Sequence, residues 1–84
     1  MTALFNFALS IAQRAVLRMI KQRGGAIRMN ISEQVIGKPG VAGMEALKNL
    51  GLISITPLIW TSEHDVRLTS VGTNVVIQIM NHLQ

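Results

Sequence analysis

Gly24-Gly25, Gly37-Lys38-Pro39-Gly40, Gly51 and Pro57 interrupt this 84-residue chain at four places, and each interruption ends one regular element and opens another. Residues 2–22, ahead of the first, contain neither Gly nor Pro. At 100° per residue, Asn6, Ser10, Gln13, Arg14, Arg18 and Lys21 fall along one stripe, which predicts a long amphipathic helix. Its remaining surface, from Leu4, Phe5 and Phe7 through Leu9 and Ile11 to Val16, Leu17, Met19 and Ile20, is an apolar arc wider than one layer of a small core covers. Part of that arc is expected to meet a second subunit. Gly24-Gly25 supplies the C-cap, and Lys21 and Arg23 complement the negative end of the helix dipole.

The later interruptions separate shorter pieces. Ala26-Ile27-Arg28-Met29 is extended, and Asn30-Ile31-Ser32-Glu33 has the form of a capping box that opens a short helix over residues 31–36. Gly37 can close that helix with a left-handed residue, and Pro39 suits the first turn of the next, where a missing N–H is no loss. The second helix runs to about residue 50 with Val41, Met44 and Leu47 inward. Leu52-Ile53-Ser54-Ile55-Thr56 alternates like a half-buried strand until Pro57 breaks its ladder. A polar turn over residues 61–65 leads to the returning strand, Val66-Arg67-Leu68. Thr69 caps a final helix with Val71, Val75, Val76, Ile79, Met80 and Leu83 on one side and Asn74, Gln78 and Asn81 on the other. The expected class is α+β.

At this length the chain forms one domain and buries only about 60–65% of its unfolded surface, so it needs a staple or an apolar-rich core. With no cysteine there is neither a disulfide nor a thiolate zinc site, whereas 49% hydrophobic against 14% charged residues supplies the core and argues against disorder. The richest apolar run, residues 3–12, is shorter than the ~18–20 residues of a spanning helix. Positive charge follows that run, whereas a secretory signal places it ahead. The expectation is a cytoplasmic protein without a membrane segment.

The net charge of +4 favours polyanionic partners and is unevenly spread. Residues 14–48 carry +5 and residues 49–84 carry −1. Arg14, Arg18 and Lys21 are accounted for as the solvated stripe of the first helix. Lys38, Lys48 and Arg28, if they share the face of the two-helix unit, form a patch that contacts phosphate without specifying sequence.

A short helix joined to a longer one by a Gly-containing turn and followed by a hairpin is the order of a winged helix-turn-helix. Residues 30–72 resemble the corresponding part of the multiple-antibiotic-resistance regulator (MarR) and PadR families of bacterial transcription regulators. Ala46-Leu47-Lys48-Asn49-Leu50-Gly51-Leu52-Ile53 is similar to the end of their recognition helix entering the first wing strand. Val66-Arg67-Leu68-Thr69-Ser70-Val71-Gly72 is similar to their second wing strand and the Leu-Thr-x-x-Gly that opens the last helix.

The resemblance implies a homodimeric regulator of transcription that docks the helix at residues 40–49 in the major groove of double-stranded DNA. Its terminal segments, residues 1–23 and 70–84, would be the dimerisation helices. The DNA-contacting candidates are Lys38, Lys48 and Arg28, with Arg67 and His64 from the hairpin. The residues expected to face the groove, Lys38, Gly40, Ala42, Gly43 and Glu45, include no Arg, Asn or Gln to pair with base edges. Glu63 and Asp65 beside His64 would repel phosphate.

An alternative follows from that poverty of base readers: a protein-interaction module on the same scaffold, such as a phage or plasmid accessory protein, gripping its partner through Leu58, Ile59 and Trp60 or through the first helix. A small hairpin has limited means of covering these side chains, which either pack on the first or last helix or form a sticky surface. His64 and His82 lie 18 residues apart without a further carboxylate-histidine grouping, so no metal is expected. No nucleophile has a recognisable setting and no cofactor motif is present, so an enzyme is not expected.

Overall fold

The structure, a computed structural model, describes residues 9–81. Its elements run α1 (Ile11–Gln22), β1 (Ala26–Met29), α2 (Glu33–Asn49), β2 (Ile53–Pro57), β3 (His64–Leu68) and α3 (Ser70–Asn81). The three strands form one antiparallel sheet in the order β1-β3-β2. The architecture is α+β, with three helices and this sheet.

Within the described residues, α1 begins later than its polar stripe predicts. Ser10 is extended (φ −72°, ψ 164°) and serves as the N-cap: its Oγ accepts from the Gln13 amide at 3.0 Å, while Gln13 Oε1 accepts from the Ser10 amide at 2.9 Å. That reciprocal pair is a capping box. The box expected at Asn30 and Glu33 does not form. α2 starts after Ser32 without a side-chain cap, and the Asn30 side chain instead reaches the hairpin loop, its Nδ2 donating to Ser62 Oγ at 3.3 Å. Asn30 is still leaving a strand, so its geometry serves a cross-loop bond better than a helix start.

α2 is two helical pieces. Gly37, at φ 76° and ψ 166°, breaks it into residues 33–36 and 38–49, a conformation that a side chain would strain. Pro39 sits in the first turn of the second piece, where an N–H would have no helical partner. That piece ends in a Schellman motif, with the Leu52 amide donating to Leu47 O at 3.1 Å and the Gly51 amide to Lys48 O at 2.9 Å. Leu47 and Leu52 are both fully buried, giving the motif its apolar contact.

The core lies between one sheet face and the helices, with Leu17 and Ile20 of α1, Leu47 of α2, Leu52, Val66 of β3 and Val76 of α3 at its centre. Among the described residues, no polar or charged residue is buried as a whole. Strand alternation fixes the two faces. Ile27 and Ile55 flank Val66 on the inner face, and Arg28, Ser54, Thr56, Asp65 and Arg67 lie on the outer one. Pro57 ends the edge strand β2, where a missing donor is tolerated.

The connections converge at Thr69. Its amide donates to Leu52 O at 3.0 Å, its hydroxyl donates to Gly51 O at 2.5 Å, and the same oxygen accepts from the Gly72 amide at 2.9 Å as the cap of α3. Next to it, the Leu68 amide donates to Gly25 O at 2.9 Å. α3 is thereby pressed so close to Leu52 that a Cβ on Gly72 would overlap the Leu52 carbonyl oxygen and lie 2.8 Å from its carbon.

Gly72→Ala is therefore expected to cost about 3 kcal/mol or more, since backbone must move to admit it. Gly43→Ala meets nothing closer than 3.7 Å and should be neutral or stabilising by up to ~1 kcal/mol through helix propensity. Urea denaturation of the two variants measures the contrast.

Candidate nucleic-acid interface

The second piece of α2 owes its orientation to its glycines. Gly43 faces α1, where its carbonyl accepts from Gln13 Nε2 at 3.1 Å, and Gly40 lies against Ile36 so tightly that a Cβ would come within 2.9 Å of the isoleucine Cβ. Met44 and Leu47 continue that inward side. Gly40 and Gly43 are consequently not on the outward face that the sequence suggests for them. The residues there are Lys38, Ala42, Glu45 and Asn49, all exposed, at the i, i+4, i+7, i+11 spacing of one helical stripe. Asn49 is an exposed side-chain amide, of the type able to pair with base edges, that the sequence reading misses. Periodicity counted from Lys38 would have found it, but glycine carries no hydropathy to fix the helix phase.

Charge on this face is partly compensated. Lys48 Nζ lies 3.6 Å from Glu45 Oε1 in an (i, i+3) pair, with the side chains 46% and 52% exposed. Such a pair contributes only about 0.2–0.5 kcal/mol to the helix, yet it keeps the carboxylate beside a cation. Lys38 is exposed one stripe position before Ala42, and no described acidic group forms an ion pair with it.

Arg28 and Arg67 form a second group, on the outer face of the sheet. Arg28 stands opposite Asp65 in the β1–β3 register, and Arg67 Nε donates to Asp65 Oδ2 at 2.7 Å from two positions along the same strand. Asp65 thus neutralises part of the charge on this sheet face by holding an arginine. His64 does not join this group. It shares the face of Val66, opposite Met29 and Pro57, and its Nδ1 is buried without a hydrogen-bond partner. The expected five-residue DNA patch is therefore two sets, Lys38 with Lys48 and Arg28 with Arg67, and His64 lies outside both.

The hairpin loop inverts the usual polarity. Thr61 Oγ1 accepts from the Glu63 amide at 2.7 Å, Ser62 is bound by Asn30, and the Leu58 amide donates to Glu63 O at 3.3 Å. In this loop Ile59 is 91% and Trp60 81% exposed, whereas Leu58 is half-buried. Packing of Ile59 and Trp60 on the first or last helix is overturned, because a six-residue loop at the end of the ribbon carries them away from the core.

Among the described residues, no group of three or more His, Asp or Glu is placed to hold a metal ion, and no helix is long and apolar enough to cross a membrane. His82 lies outside the described residues. Comparison of the chain with protein-family models, with curated proteins and with solved structures gives no match. Trp60→Ala should shift the melting temperature by less than roughly 3 °C, as expected for a surface substitution in a domain of this size. A drop several times larger in a thermal melt would place the indole in the core.

Proposed function

We propose that this chain is a small winged helix-turn-helix protein that binds duplex DNA as a homodimer and regulates transcription. The observation that carries the reading is the break at Gly37, which turns α2 into a short and a long helix. Directly after them comes a hairpin whose returning strand also pairs with β1. This arrangement leaves one side of the long helix free for the major groove and projects the β2–β3 ribbon beside it as a wing. Lys38 and Lys48 supply phosphate contacts from the helix, and Arg28 and Arg67 supply them from the sheet. These contacts position the protein and carry most of the salt-dependent affinity.

Dimerisation is assigned to α1 and α3. Ala15, Arg18, Met19, Gln22 and Met80 line an open groove of about 420 Å³ between these helices, and Ile77, three residues before Met80 on α3, is 42% exposed. Apolar surface on adjacent helices of so small a domain is suited to an isologous contact with a second copy. The remaining parts of the expected dimerisation segments, residues 1–8 and 82–84, lie outside the described residues.

A second reading, a protein-interaction module, is favoured by the exposure of Ile59 and Trp60. Under it the chain fails to retard duplex DNA even at low salt.

On the DNA reading, Lys38→Ala weakens binding to all duplexes alike and lowers the log–log salt slope by ~0.9 for each copy's lost phosphate contact, measured by titration across salt concentrations. Met80→Lys adds a second positive charge beside Arg18 in the α1–α3 groove and should convert the dimer to monomer in sedimentation velocity. An unchanged mass would remove that groove from the interface.

A further inference from the structure

We infer that Glu45 is the specificity-determining residue of the DNA-facing helix, and that it selects cytosine through the exocyclic amino group; this rests on the DNA-binding reading above. Glu45 stands in the middle of the outward stripe, between Ala42 and Asn49. Ala42 and Ala46 beside it are too small to hold the helix away from the groove floor. The other polar members of the outward stripe, Lys38 and Asn49, stand at its two ends, so the carboxylate is the polar group that reaches the centre of whatever the helix covers.

An isolated carboxylate on such a face would be driven off by phosphates. Lys48, 3.6 Å away on the flank of the stripe, removes that objection by travelling with it. Counting Lys38, Lys48 and Glu45, the face keeps a net positive charge. The side chains of Lys48 and Glu45 are both about half exposed, which leaves the ammonium room to reach a phosphate and the carboxylate room to reach a base.

The chemistry of the carboxylate then limits its choices. It only accepts hydrogen bonds, so it is repelled by guanine O6 and N7 and by thymine O4, and it is matched by amino groups. Adenine offers N6 beside the acceptor N7, whereas the cytosine amino group has no such acceptor next to it on the same base. Cytosine is thus the base that one Glu prefers. The neighbouring stripe positions have their own matches, Ala42 with a thymine methyl and Asn49 with adenine.

The test is selection from a randomised duplex library by the full chain and by Glu45→Gln, with thermal melts to show that both are folded. The wild type should enrich cytosine at one position of its site by about tenfold, and Glu45→Gln should move that position toward adenine while the others stay. A general gain in affinity from the lost negative charge would act on every sequence equally and leave the selected bases alone. If both proteins bind duplex DNA and select the same bases, the assignment of Glu45 is overturned and the DNA reading stands. If the wild type retains no duplex at low salt, both are overturned.

Discussion

The start of α3 is seated on the carbonyl of Leu52, and that seat ties together three of the connections, those at Gly25, at Gly51–Leu52 and at Thr69. Thr69 binds the carbonyls of Gly51 and Leu52 and caps α3 through the Gly72 amide, while Leu68 beside it binds the carbonyl of Gly25. A threonine serves here because one hydroxyl both donates across the junction and accepts from the helix start. A glycine follows three residues later because the backbone of α3 lies where a Cβ would collide. The Leu-Thr-x-x-Gly segment therefore has a local physical basis. Leu68 completes the inner face of β3, Thr69 joins the turns, and Gly72 permits the approach that buries Val75, Val76 and Ile79.

With α3 fixed in this way, the β2–β3 ribbon and the second piece of α2 are held from one side only. Their opposite surfaces are left to solvent and carry the side chains considered for function. Gln13 performs a comparable task at the other end of the domain, closing the cap of α1 with its carbonyl and holding the Gly43 carbonyl with its amide. One side chain thus fixes both where α1 begins and which side of α2 faces it. The outward stripe of Lys38, Ala42, Glu45 and Asn49 is a consequence of that contact.

Much of the element order was legible because it depended on residues with strong local preferences. Gly37 and Pro39 mark the break in α2, the alternation of Ile53, Ser54, Ile55 and Thr56 marks a strand with one buried face, and Thr69 marks a helix start. Two local signals misled. Asn30 and Glu33 have the spacing of a capping box, but Asn30 found a partner across the hairpin. Ser10, which fits the polar stripe of a longer helix, is the cap that begins α1. In each case the same side-chain group can satisfy a nearby amide or a distant one, and spacing along the chain does not rank the two.

By itself the sequence determined the α+β class, the positions of the breaks and the apolar residues available for the core, because those follow from backbone freedom and hydropathy, which act over a few residues. Tertiary structure decided which surface each charged or aromatic residue occupies. It turned Gly40 and Gly43 inward against neighbours, brought Asn49 onto the outward stripe, set Arg67 on Asp65 and took His64 to the other side of the sheet. It also left Trp60 uncovered, since the core ends before the ribbon does. Such outcomes depend on the rotation of a helix and the register of a strand, which are fixed by contacts between residues far apart in the chain.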